Sequence, residues 1–356
     1  MEYGIFYLPA FDPDFLVDSA PLYASLRAQA RRADELGFGT FWLAEHHFHG
    51  FGGMLPSPQV AIPALAAETR RLRFGTAVVL LPFHHPLRVA EDYAMVDVLT
   101  GGRFEFGVGL GFVKLESDNF HTPLETARER FRENLAIILR AWSDEPLDYD
   151  GQWSSFHGLH VLPKPVQRPH PPVWVAATAT PESFSWAGER GYGMMVIGFL
   201  HDLAGHKERI DLYREAYRAA GHPPEGERVL GAYHAYVGSS AADVTRVGTR
   251  ALAGYMGAAR RAQELAGVGR DFHAFPAHAP VLERIGEIDF AAAQARTRMI
   301  VGEPSACREM VARLREELGL THLALLFANP GLPYDDILPA MDRFADQVLG
   351  GLPAAV

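Results

Sequence analysis

Short β-type apolar runs alternate along the chain with longer amphipathic ones. Tyr3-Gly4-Ile5-Phe6-Tyr7 reads as a strand, and Leu22, Leu26, Ala33 and Leu36 then recur at helical spacing until Gly37 stops them. A second strand covers Thr40 to Ala44. After a glycine-rich loop at Gly50 to Gly53, Ser57-Pro58 opens a helix with Ile62, Leu65, Thr69 and Leu72 on one side. Phe74 to Leu81 is almost wholly apolar, as befits a parallel strand covered on both faces. A helix from Pro86 to Leu99 and a strand from Arg103 to Val108 complete four βα units, which argue for a parallel sheet.

The second half keeps this rhythm less tidily. Phe131, Leu135, Ile138 and Trp142 form a helical stripe, and Asp150 to Pro172 is a Pro- and aromatic-rich excursion. Strand five is Pro172 to Ala177, followed by a helix over Pro181 to Arg190. Strand six is Gly193 to Gly198, with a helix over Ile210 to Ala220, then strand seven at Leu230 to Val237 and strand eight at Thr321 to Phe327. Eight strands favour an α/β fold of the (β/α)8 TIM-barrel type over an open doubly wound sheet. Residues 1–356 are expected to form a single domain. Residues 239–298, between strands seven and eight, exceed one plain helix and are expected to include an insertion that acts as a lid over the barrel mouth.

Composition narrows the class. A chain of 356 residues that is 48% hydrophobic can bury a large core. Its net charge of −10 argues against a broad nucleic-acid or anionic-membrane surface. The one cysteine, Cys307, has no internal disulfide partner, which suits a reducing compartment, and it reads as core. A strand-like run follows Glu2 at once, so no signal peptide is expected, and no run approaches the roughly 20 apolar residues of a membrane span. The protein is therefore expected to be soluble and cytoplasmic.

In a barrel, residues just past each strand converge on one rim, so candidates follow from position. They are Glu45, His46 and His47 after strand two, His84 and His85 after three, Gly109 to Gly111 after four, Ala177 to Ser183 after five, Phe199 and His201 after six, and Asn329 after eight. Extended side chains alternate faces, so one of His46 and His47 is expected to point at solvent or pack. A core histidine satisfied by its neighbouring carboxylate is the plain alternative to a catalytic one. Zinc is considered and set aside, since no strand carries a His pair on a shared face and His84-His85 diverge; no metal is expected.

Ala176-Ala177-Thr178-Ala179-Thr180-Pro181-Glu182-Ser183 is the sharper feature. Thr180 can cap a helix that Pro181 begins, leaving free N–H groups and a positive dipole end for an anion, with hydroxyls of Thr178, Thr180 and Ser183 at hand. An ordinary capped helix is the alternative. Arg128 can supply a guanidinium to the same anion. Gly107-Val108-Gly109-Leu110-Gly111 is not a dinucleotide fingerprint, because no helical pattern follows it. Its glycines instead leave room for a flat ring against the backbone. A planar, phosphorylated cofactor is the expectation.

Taken in order, Ala44-Glu45-His46-His47-Phe48, Gly75-Thr76-Ala77-Val78 with Leu81-Pro82 and His85-Pro86, Ala90-Glu91-Asp92, Gly102-Arg103-Phe104-Glu105-Phe106-Gly107 and Ala176 to Ser183 resemble the bacterial luciferase family of flavin-dependent monooxygenases. The resemblance runs from Tyr3 to about Val348. It implies a barrel that binds reduced FMN (FMNH2) at its carboxyl-end rim, in a homodimer packed through the helices after strands two and three. It also implies a non-proline cis peptide near Ala77-Val78, under the flavin ring.

Residue by residue, the resemblance makes His46 the catalytic histidine, and its neighbour Glu45 is expected to orient it. Arg128 and the turn of Ala177, Thr178, Thr180, Pro181, Glu182 and Ser183 match the family's phosphate contacts. Phe199 stands where the luciferase has a tryptophan at the ring, and Gly109 replaces its reactive cysteine. Leu110 departs from the arginine that reaches the phosphate in many members, which removes a charge-assisted bond of roughly 1.5 to 3 kcal/mol. The implied chemistry is a reaction of FMNH2, delivered by a separate NAD(P)H:flavin reductase, with O2. This gives a flavin hydroperoxide, with His46 as general acid or base and a small-molecule substrate receiving one oxygen atom. Phe6, Phe48, Phe83, Phe112, Phe199 and Phe327 hint at an apolar or aromatic substrate. Two alternatives stay open: deazaflavin-dependent hydride transfer, which shares the fold, and non-catalytic flavin binding, whose representatives lack part of the barrel and which the eight traceable units therefore disfavour.

Overall fold

The computed structural model describes residues 1–9, 19–265, 290–328 and 332–350. Its strands are β1 (Glu2–Tyr7), β2 (Thr40–Leu43), β3 (Arg73–Thr76), β4 (Val79–Leu80), β5 (Phe104–Gly109), β6 (Leu147–Asp150), β7 (Ser155–Leu159), β8 (Val173–Ala176), β9 (Gly193–Ile197), β10 (Val229–Val237), β11 (Ile300–Gly302) and β12 (His322–Leu326). Eight of them, β12, β1, β2, β3, β5, β8, β9 and β10, close into a parallel barrel with helices between strands. The ring shuts because β10 pairs with β12 on one side and with β9 on the other.

Alternation along each strand builds two cores. Ile5, Tyr7, Phe41 and Leu43 face the helices, whereas Phe6, Leu8, Trp42 and Ala44 point into the barrel. The amino-terminal floor is filled by two indoles, Trp42 and Trp174, packed edge to face at 5.3 Å. Each needs a glycine on the neighbouring strand: a Cβ on Gly75 would lie 2.2 Å from Trp42 Cε3, and one on Gly193 would lie 2.4 Å from Trp174 Cε3. Trp174 Nε1 also donates to Glu105 Oε2 at 2.8 Å, which satisfies the buried indole N–H.

The helices that matter below are α1 (Ala20–Leu36), α2 (Pro58–Ala66), α3 (Pro86–Leu99), α4 (Lys114–Asn119), α5 (Ala127–Ala141), α6 (Pro181–Glu189), α7 (Leu203–Ala219) and α8 (Ala241–Leu265). Several boundaries differ from the sequence reading. The third strand is two pieces, β3 and β4, and the Ala77–Val78 peptide between them is cis, as the resemblance implied. The excursion before strand five folds in part as the antiparallel β6–β7 hairpin. Helix α7 starts seven residues early, at Leu203, since Asp202 caps it by accepting from Gly205 N–H at 3.0 Å. Strand β11 was not foreseen; three residues long, it extends the pairing of β10 beyond β12.

Of the segment expected to form a lid, residues 266–289 lie outside the described residues. The preceding helix, α8, places Tyr255 edge-on to Phe51, Phe199 and His234 at 4.8, 4.6 and 4.7 Å, beside the barrel mouth. Among the described residues, no helix is long and apolar enough to cross a membrane.

Candidate active site at the barrel mouth

The carboxyl ends of the strands enclose an open cleft with about 940 Å³ of atom-free space. Its walls are mostly apolar, with Phe6, Leu80, Phe112, Met195 and Ile197 among them, and its polar groups are few, as in cofactor pockets generally. Glu45, His46, Ala77, Val78, Gly109, Leu110, Ala177, Thr178, Thr180 and Ser183 all line it. The backbone comes close at Gly109, where a Cβ would lie 2.4 Å from Val78 Cγ2. Only a glycine fits there beside the Val78 side chain.

His46 continues the inward parity of Trp42 and Ala44 and reaches the cleft. Its Nδ1 lies 2.9 Å from Oε1 of Glu116 on α4. The same oxygen accepts the His47 backbone N–H at 2.8 Å and faces His49 Nε2 at 3.1 Å. Burial would raise the Glu116 carboxyl, but the His46 charge and the hydrogen bonds from His46, His49 and the His47 N–H outweigh it and bring it down to about 2. With Nδ1 taken up by a carboxylate, Nε2 is the nitrogen His46 can offer to a bound molecule.

This overturns the expected role of Glu45. Its carboxylate does not hold His46; Oε1 receives His84 Nε2 at 2.6 Å and His47 Nε2 at 3.0 Å. The chain leaves β2 at Leu43, and beyond it Glu45 meets His47 and His84 while His46 turns to Glu116. Burial would raise Glu45 as well, and the hydrogen bonds from His47 and His84 hold it below the usual carboxylate range. Burial alone would lower His84, and its bond to Glu45 raises it instead. His47 is the imidazole that packs, with Phe120 edge-on at 4.7 Å.

Glu116 escaped the sequence reading because it lies seven residues past the strand that carries it. The available signal was weak: Glu116 is the first of two carboxylates, with Asp118, after the apolar Phe112-Val113 pair. Donors from separate elements also converge where adjacent histidines do not. Glu45, His47 and His84 form one group and His46, His49 and Glu116 another, each with ligand atoms within 4.8 Å of one another. Both have donor types that bind divalent cations. In each, the carboxylate already bridges its two imidazoles, so hydrogen bonding accounts for the convergence without an ion.

At the other end of the cleft, β8 leads through Ala177–Thr180 into α6. Thr180 occupies the N-cap position, but its side chain makes no capping bond, contrary to expectation. Arg128 Nη1 donates to Ser183 Oγ at 3.1 Å. A smaller pocket lined by Leu110, Arg128, Arg132, Ser183 and Trp186 shares Leu110 and Ser183 with the main cleft. Pro181 and Glu182 are exposed at its rim rather than in the cleft wall. Phe199 is likewise not a wall residue. It is buried against Tyr255 and His234, in the same inward-facing cluster as Phe6, Met195 and Ala232 of the cleft wall.

Residues 1–322 match the luciferase-like monooxygenase family. Among curated relatives, the alkanal monooxygenase alpha chain of Photorhabdus luminescens is 30% identical over 222 residues, 62% of this chain and 60% of that protein. The oxygenase component of the flavin-dependent trigonelline monooxygenase of Acinetobacter baylyi is 32% identical over 177 residues, 49% of this chain and 48% of that protein. The alignments with the first curated relatives span only 51 to 60% of their lengths. Among solved structures, the monooxygenase RslO1 of Streptomyces bottropensis superposes with a TM-score of 0.83 at 28% identity, covering 98% of this chain and 99% of that one. A match that takes in both the His46 strand end and the turn into α6 leaves one assignment: this chain belongs to the luciferase-like monooxygenase family.

Proposed function

We propose that the chain is the oxygenase component of a two-component, FMNH2-dependent monooxygenase acting on an apolar or aromatic small molecule. One observation carries this reading: the cleft lined by His46, held through Nδ1 by Glu116, meets at Leu110 and Ser183 a smaller pocket lined by Arg128, beside the start of α6. An apolar cleft with a guanidinium and hydroxyls at one end is the chemistry a planar ring with a phosphate tail needs. Arg128, Ser183, Thr178 and Thr180 would hold the phosphate, and Val78, Gly109 and Ala177 would flank the ring. Bound reduced flavin supplies two electrons to O2, so that one oxygen atom enters the substrate and the other leaves as water.

The chain's own part is to bind, orient and move a proton. Nε2 of His46 accepts or returns the proton at the oxygen or substrate atom, and Glu116 compensates the imidazolium that forms. Phe6, Phe112 and Met195 offer the substrate an apolar wall and keep water from the reacting atoms. A separate NAD(P)H:flavin reductase would provide the reduced cofactor, in keeping with the related trigonelline enzyme's description as an oxygenase component.

A homodimer through α2 and α3 completes the proposal. Val60 on α2 and Met95, Val98 and Leu99 on α3 are exposed apolar side chains, Val60 by 72%.

The test is anaerobic titration with reduced FMN and, separately, a reduced deazaflavin, followed by mixing with O2. Tight binding of FMNH2 and an oxygen-dependent absorbance change that slows in His46→Ala are expected. Preference for the deazaflavin, with no oxygen response, would overturn the proposal in favour of hydride transfer.

A further inference from the structure

Leu110 puts an apolar side chain at the junction between the two pockets, and the charge there comes from α5 instead. Arg128 and Arg132 are four residues apart on that helix, so they share a face. Both line the smaller pocket with Ser183. The Arg132 guanidinium lies over the Trp186 ring, 5.5 Å from its centroid, which restricts where it can point. Across from both, Glu182 in the first turn of α6 accepts from Arg132 Nη2 at 2.6 Å and is 3.7 Å from Arg128 Nη1. The hydrogen bond from Arg132, helped by the Arg128 charge, holds that carboxyl below the usual range.

Resting on the flavin reading above, we infer that Arg132 is the second guanidinium of the phosphate end and that Glu182 is an internal competitor for the same two arginines. Two guanidiniums and one carboxylate sum to a single positive charge. A phosphate monoester carries close to two negative charges at neutral pH, so it is matched only when Glu182 releases the pair. Glu182 thereby sets how tightly the phosphate is held, and Arg132 restores the cation that Leu110 does not supply. Discrimination between FMN and riboflavin is the property these two residues control.

The experiment is anaerobic titration of the full chain with reduced FMN and with reduced riboflavin, for the natural protein, Arg132→Met, Arg132→Lys, Glu182→Gln and the double variant Arg132→Met/Glu182→Gln. Circular dichroism checks that each is folded. Arg132→Met should raise the dissociation constant for FMN about tenfold, on the scale of one partly exposed charge-assisted bond, and leave riboflavin unchanged. Arg132→Lys should recover part of the loss. Glu182→Gln should tighten FMN several-fold, roughly the worth of one surface ion pair, and that gain should shrink when Arg132 is also replaced.

If the natural protein prefers FMN over riboflavin but neither single substitution moves the FMN constant, the flavin reading stands and the competition falls. Equal binding of FMN and riboflavin would also overturn the inference, since the phosphate would then contribute nothing. Binding of neither would instead remove the flavin reading on which it rests.

Discussion

His46 and Glu116 stand 70 residues apart in sequence and meet through Nδ1 and Oε1 at 2.9 Å. The contact joins the βα unit that ends β2 to the one that follows β5, and it fixes which imidazole nitrogen faces the cleft. Glu116→Gln keeps the shape and removes the charge. Proton transfer assisted by a positioned side chain contributes roughly 10²–10⁴-fold; His46→Ala should lose most of that, and Glu116→Gln a smaller part. Long-range ¹H–¹⁵N spectra of the histidines check the cause. The His46 tautomer pattern should change in Glu116→Gln, and an unchanged pattern with slowed turnover would rule out the positioning role.

Acid should weaken the fold through the same carboxylate. Glu116 is depressed to about 2 from an ordinary 4.5, so its contribution is complete above pH 4.5 and fades as pH falls toward 2. On that shift it amounts to roughly 3 kcal/mol. Urea midpoints measured from pH 6 down to 3 should fall steeply for the natural protein and less for Glu116→Gln. Parallel curves would contradict the assignment.

Gly52 guards the position of His46. Its φ is +82°, and a Cβ there would lie 2.7 Å from both His46 Cδ2 and Leu8 Cδ1. Gly52→Ala should cost about 1–2 kcal/mol from the left-handed backbone alone, and more from the clash. Thermal unfolding and flavin affinity should both decline; a variant matching the natural protein in both would show that the loop gives way freely.

The exposed stripe on α2 and α3 sets a test of assembly. Met95→Glu places a charge among Val60, Val98 and Leu99, which a buried interface does not tolerate. Sedimentation should show a dimer for the natural protein and a monomer for the variant. A monomeric natural protein at tens of micromolar would end the proposal.

Much of the barrel was legible because fully covered parallel strands announce themselves as apolar runs: Phe74, Phe104 and Phe106 are each completely buried. The rim was legible for the same reason, since strand ends are easy to locate. What escaped was long-range or local in ways that periodicity does not encode. Glu116 reaches His46 from a short helix with no stripe of its own. Glu45 looked like its partner only because it is its neighbour in sequence. Strand β11 is three residues long and exists because β10 outruns β12.

The indole pair beneath the cleft has a kinetic corollary. With Trp42 and Trp174 wedged against Gly75 and Gly193, the described residues cork the cylinder at its base, which leaves the rim end as the way in for whatever the cleft binds. Cofactor, oxygen, substrate and product would then share that entrance.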